Sequence, residues 1–237
     1  MPAAQIVAHI GRKFGAYGLQ PVIDGWVLPR GTPEAIAAGQ QNGTELLLGS
    51  VANEGTQLLP PSTPEALHTM IKQWFGTQAE PIAALYTGTD PETATVAEDQ
   101  LLSDYTAAMA RVAAGLFVRQ GHPAWVYSFN RAAPGSDPVK VGAFHCAELV
   151  YVFGTQHTVD RPWEAIDRQL SDVMSSYWVR FAATGNPNGP DLPEWPAYDE
   201  QSRHVKDFGS RVSVGPGLKA APLFEAYLST RLPPVKQ

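Results

Sequence analysis

Apolar residues recur along this chain at two periods, and the switches between them mark out its elements. Leu67, Met70, Ile71, Trp74 and Phe75 follow the i, i+3, i+4, i+7 spacing of one helical face. With Thr63 as cap and Pro64 in the first turn, they predict a helix over 64–75. Leu101, Tyr105, Met109, Val112 and Leu116 predict a second helix over 97–119, which leads through Gly121-His122-Pro123 into the alternating run 124–130, read as a strand. Ile166, Leu170, Val173, Met174, Tyr177, Trp178 and Phe181 predict a third helix over 162–183 that stops at Gly185. Its aromatic residues are read as core rather than as a substrate pocket. The first buried strand is expected at 45–49, a strand pair within 203–214 and a last helix at 223–228. Residues 1–44 read as a short helix, an irregular loop through Asp24-Gly25 and an amphipathic piece near 33–39. No internal repeat or linker divides the chain, so one unit over 1–237 is expected.

Composition narrows the picture. With 44% hydrophobic and 17% charged residues the chain belongs to the globular class. A formal net charge of −6 without a basic stripe argues against a nucleic-acid partner. The single cysteine excludes an internal disulfide, and a cytoplasmic setting is the default. No run approaches the roughly 18 consecutive apolar residues of a membrane span. The opening residues place Arg12 and Lys13 after their apolar stretch rather than before it, so they are not read as a signal peptide.

Candidate chemistry centres on 141–154, Val-Gly-Ala-Phe-His-Cys-Ala-Glu-Leu-Val-Tyr-Val-Phe-Gly, where His145 sits in a Gly/Ala turn ahead of a run expected to be buried. A second stretch, 46–56, is an apolar strand that breaks into a polar loop at Glu54-Gly55-Thr56. A carboxylate accepting a hydrogen bond from one imidazole nitrogen fixes the tautomer and leaves the other nitrogen free as a base.

The His145 stretch, written H-x-A-E-L-x-Y-V-F-G, resembles the histidine region of type B carboxylesterases, the para-nitrobenzyl esterase and cholinesterase group of the α/β-hydrolase superfamily. The Glu54 stretch is similar to the family's G-x-x-x-x-E-G-T. The run 18–29 resembles its G-P-V-x-D-G-x-x-L-P, with the Gly-Pro pair split by two residues. Residues 178–188 and 194–198 match W-x-x-F-A-x-T-G-x-P-N and W-P-x-Y, with Asn186 where the family often has an acid. The resemblance implies an α/β fold, here the C-terminal part of an α/β hydrolase with an incomplete, mostly parallel sheet flanked by helices. It implies His145 as general base and Glu54 as the acid that orients it, a small-molecule ester as substrate, and no cofactor. A serine esterase also needs a nucleophile on a G-x-S-x-G turn, which precedes the acid and the histidine in chain order. That motif does not occur in this sequence. Serine and oxyanion donors are therefore expected from an N-terminal segment, either lost from this sequence or supplied as a separate N-terminal esterase polypeptide, and the chain alone is expected to be inactive.

Other chemistries fit less well. Cys146 is read as a small buried hydrophobe, because sequence neighbours seldom point at one another. The six histidines are scattered without zinc-ligand spacing, and Asn186-Pro187-Asn188-Gly189-Pro190-Asp191 reads as a turn rather than a calcium loop, so no metal is expected. No specific carboxylate pair marks a glycosidase. The competing class is a binding, adhesion-type or partner-subunit protein of esterase descent without turnover.

Overall fold

A computed structural model of the chain describes residues 2–6, 8, 21–56, 58–135, 141–215 and 221–232. The chain divides into two compact units, the larger covering Asn42–Leu232. In the smaller, residues 3–6 are helical and α1 spans Thr32–Ala37. The loop through Asp24 is closed by its own carboxyl, which accepts from the N–H groups of Leu28, Trp26 and Val27 at 3.0, 2.9 and 2.9 Å. These bonds hold that carboxyl below the ordinary carboxylate range.

The larger unit is built on a four-stranded sheet in the order β1 (Leu46–Val51), β2 (Ala124–Phe129), β3 (Val205–Phe208), β4 (Val212–Gly215). β1, β2 and β3 run parallel, and β4 returns antiparallel to β3. This is the mostly parallel α/β sheet expected, flanked by helices on both faces. The pair at 203–214 is present, and its first strand also extends the parallel sheet.

Local chemistry sets the helix ends. α2 (Pro64–Phe75) starts where Thr63 Oγ1 accepts the Ala66 N–H at 3.2 Å, with Pro64 in the first turn. A one-turn helix α3 (Ala79–Ala83) follows, which the apolar periodicity did not announce. α4 (Pro91–Arg119) begins six residues earlier than expected, because Asp90 and Thr93 form a capping box ahead of Pro91. α5 (Leu149–Val152) is a single turn, α6 spans Ala165–Thr184 and α7 spans Ala221–Arg231. α6 ends as expected, with Gly185 left-handed at φ 75°.

The period of two along β2 sends Trp125, Tyr127 and Phe129 to one face. There Trp125 meets Phe181 and Tyr127 meets Trp178 of α6, while Phe129 meets Tyr151 of α5. Tyr177, Trp195 and Phe208 complete this core, and the α6 aromatics are core residues. The opposite face of β1 and β2 packs on α4, which also joins α2 and α7 in a second core around Leu67, Ile71, Phe75, Leu101 and Phe224. By length and composition α4 could cross a bilayer, but 56% of that apolar window is buried inside this unit. Its buried residues include Asp104 and Arg111, which suits a core helix.

Lys206 on β3 is 1% exposed within the first core. Its ammonium donates to the Pro193 and Glu194 carbonyls at 3.0 and 2.8 Å and lies 5.3 Å from the centre of the Tyr177 ring. Burial pushes its pKa down to about 8.

Candidate active site

The parallel strands β1 and β2 end side by side, and the loops that leave them carry Glu54 and His145. The two loops meet at a bridge between Asn53 and Phe144. Across it the structure brings together the two site residues read from the sequence. His145 Nδ1–H donates to Glu54 Oε2 at 2.6 Å. Glu54 is 6% exposed, and its other oxygen accepts the Val51 N–H at 3.0 Å. The imidazole keeps 47% of its side-chain surface. Its Nε2 has no hydrogen bond among the described residues. A buried acid thus fixes one face of the ring and leaves the other nitrogen open to a proton donor.

Several residues that the sequence patterns did not mark hold this geometry. Asn53 Oδ1 accepts the Ala143 N–H at 3.0 Å, and the Asn53 N–H donates to the Ala143 carbonyl at 3.0 Å. From α4, Asp99 accepts from the Asn53 side chain at 2.8 Å and from the Gly55 N–H at 2.7 Å, while Ser103 Oγ accepts the Glu54 N–H at 2.9 Å. Gly142 has φ 55°, and a Cβ there would fall 2.0 Å from Asn53 Oδ1, so glycine is required by backbone and by space alike. The sequence signal for Asp99 and Ser103 was their i, i+4 spacing on one side of α4. It is legible only once the acid loop is known to lie against that side.

Two expectations for the His145 stretch need correction. Cys146 is exposed, at φ 70°, rather than a buried hydrophobe. The tight turn that swings His145 toward Glu54 leaves its neighbour facing solvent, and nearly full burial is impossible on the outer side of such a turn. Nor is the following run buried throughout. Ala147, Tyr151 and Val152 are buried, but Leu149 and Phe153 are 43% and 70% exposed. The run forms the helical turn α5, and residues 149 and 153 share its outer side.

The segment 186–191 is a turn stabilised by asparagines, as read. Asn188 binds the Trp195 backbone twice, at 2.9 and 2.7 Å, and its own N–H donates to Asn186 Oδ1 at 2.9 Å. Among the described residues no group of three or more His, Cys, Asp or Glu side chains could hold a metal.

An acid on the loop after one parallel strand and a histidine on the loop after the next, in that chain order, is the arrangement expected of an α/β hydrolase. The profile of the carboxylesterase family matches residues 2–223, and the chain belongs to that family. It is 32% identical over 206 residues to para-nitrobenzyl esterase of Bacillus subtilis, covering 82% of this chain and 40% of that protein. It is 27% identical over 215 residues to fumonisin B1 esterase of Sphingopyxis macrogoltabida, covering 85% of this chain and 39% of the relative. With the mouse pyrethroid hydrolase Ces2a it shares 26% identity, over 74% of this chain and 30% of the relative. The chain thus spans two fifths or less of the length of these relatives.

Proposed function

We propose that this chain supplies the general base and its orienting acid to a serine carboxylesterase that cleaves small-molecule carboxylic esters. The observation that carries this reading is the 2.6 Å bond from His145 Nδ1 to Glu54 Oε2, made by a buried acid to a ring whose far side is open. In the reaction, Nε2 of His145 takes the proton of a serine hydroxyl as its oxygen bonds to the ester carbonyl carbon. The imidazolium then gives that proton to the departing alcohol, leaving an acyl-serine. Water repeats the sequence and releases the carboxylic acid. Glu54 remains ionised throughout and steadies the imidazolium. No cofactor is needed.

Because this sequence holds no G-x-S-x-G, the serine and the oxyanion donors come from a polypeptide segment outside it, and the chain by itself has no turnover. The printed names of the relatives, esterases and hydrolases, support the reaction class. The buried Glu54–His145 pair also favours catalysis over a pure binding role, which has no use for an oriented imidazole.

The test is complementation. The chain is co-expressed with a carboxylesterase-family segment that carries the G-x-S-x-G turn, and hydrolysis of a chromogenic ester is measured. Turnover that His145→Ala abolishes is expected. Turnover unchanged in that variant would remove His145 from the mechanism.

A further inference from the structure

A parallel sheet covered by helices is ordinarily apolar on both faces. On the side that faces α4, one level of this sheet is polar instead. Ser50, Ser128, Asp207 and Ser213 stand opposite one another in register, one from each strand. The period of two that sends Trp125, Tyr127 and Phe129 toward α6 sends all four the other way. With Asn130 and, from α4, Arg111, they line a cavity of about 310 Å³. That is the size of a small-molecule site. The row runs from Ser50, 5% exposed, to Ser213, which is exposed on the edge strand β4. Among the described residues none of its three hydroxyls makes a hydrogen bond, and Asp207 accepts only at Oδ1, from the Asn130 side chain. A hydroxyl buried as deeply as that of Ser50 is costly without a partner. Arg111 is turned elsewhere, with its guanidinium 3.7 Å from Glu225 and donating to the Arg203 carbonyl at 3.3 Å.

We propose that this cavity binds a small amino alcohol, its primary ammonium seated against Asp207 and its hydroxyl directed toward Ser50. An ammonium has three N–H donors and no acceptor. Oδ2 of Asp207 and the hydroxyls of Ser128 and Ser213 offer it three acceptors. Neighbouring strands lie about 4.8 Å apart, so both hydroxyls stand within one strand step of the carboxyl. Ser50 is the next step along the row, where the hydroxyl of the ligand gives it the partner it lacks. Burial pushes the Asp207 carboxyl up, and the Asn130 bond offsets only part of this. A cation beside it holds it ionised. The cavity is far larger than a single ion or water needs, which favours an organic cation. The site stands apart from the role given to the His145–Glu54 pair, although α4 serves both. Asp99 and Ser103 hold the acid loop, and Ala107 and Arg111 follow at four-residue spacing to line the cavity.

Ethanolamine is the probe, followed by saturation-transfer NMR on its methylene protons with the purified chain, a measurement that serves a monomer and an oligomer alike. The expected result is a saturable signal in the parent. Its Kd should rise about tenfold or more in Asp207→Asn, which keeps the shape and removes the charge. In Ser213→Ala, an exposed change that leaves the fold intact should Asp207→Asn not, it should rise roughly threefold or more. His145→Ala should bind the probe as the parent does. Ethylene glycol, with a hydroxyl in place of the ammonium, and potassium chloride at equal concentration should both fail to displace it. No saturable signal in the parent, or a Kd unchanged in both Asp207→Asn and Ser213→Ala, overturns the proposal. Displacement by ethylene glycol would show a polyol site instead, and displacement by potassium a bare-cation site. Loss of the signal in His145→Ala would place the probe at the catalytic pair, which also overturns it.

Discussion

Asn53 and Ala143 hold each other twice, each backbone N–H donating to the other residue at 3.0 Å, once to a carbonyl and once to the Asn53 side chain. The acid loop and the histidine loop are therefore tied together one residue from Glu54 and two from His145. Asn53→Ala leaves the Ala143 N–H and one Asp99 oxygen without partners, each costing about 1–3 kcal/mol if it stays dry. In the complemented enzyme, kcat should fall by roughly 10- to 100-fold with little change in KM, because a displaced histidine loop spoils alignment rather than substrate binding. Steady-state kinetics decide this, and a kcat within twofold of the parent would remove the tie from the account.

The role proposed for Glu54 allows a sharper test. Glu54→Gln keeps the shape but presents an amide to Nδ1, so the ring is no longer held in the tautomer that leaves Nε2 free. By analogy with triad acids, turnover should fall by about 10⁴-fold. A loss under about tenfold in the complemented enzyme would mean that another carboxylate orients His145.

Lys206 makes stability depend on alkaline pH. Its pKa stands near 8 in the fold, against about 10.4 in an unfolded chain. Between these values the unfolded state binds more protons, so stability rises as pH rises from about 8 toward 10, by roughly 1–3 kcal/mol from this group. Above pH 10 the sign reverses, since burial raises the phenols of Tyr86 and Tyr151 and the unfolded chain loses those protons first. Urea denaturation across pH 7–11 should show a rise and then a fall for the parent. The rise should be missing in Lys206→Met, and its presence there would assign it to another group.

Much of this arrangement was legible in the sequence because local rules and packing agree. The helix at 64–75 carries its cap, its proline and its apolar stripe in one stretch, and the structure places it over the same residues. The two candidate site residues stand in recognisable motifs, and the structure brings their side chains together. The supports were not, for a physical reason. Asn53, Asp99 and Ser103 act across sequence separations of 44 or more, and nothing in their local context distinguishes them from solvated polar residues. The start of α4 was placed late because apolar periodicity was followed where Asp90, Pro91 and Thr93 already spelled a helix start. Cys146 and Phe153 were misread as buried because apolar character alone does not tell the inner side of a turn from its outer side.

β1 gives an expectation for the chain in isolation. It forms one edge of the described sheet, and Leu46–Gly49 are only half-buried although the strand reads as an interior one. An apolar strand edge of this kind pairs with other strands. Sedimentation of the purified chain should show self-association at micromolar concentration, relieved by the complementing segment. A monomer with cooperative two-state unfolding would contradict this.

The most direct test of the central claim, that this chain brings the base and its acid but not the nucleophile, is fluorophosphonate labelling read by intact mass. The chain alone should remain unlabelled, while in the complemented enzyme the label should appear on the other polypeptide and vanish with His145→Ala. Stoichiometric labelling of this chain by itself, abolished by His145→Ala, would show a serine activated within it and contradict the account.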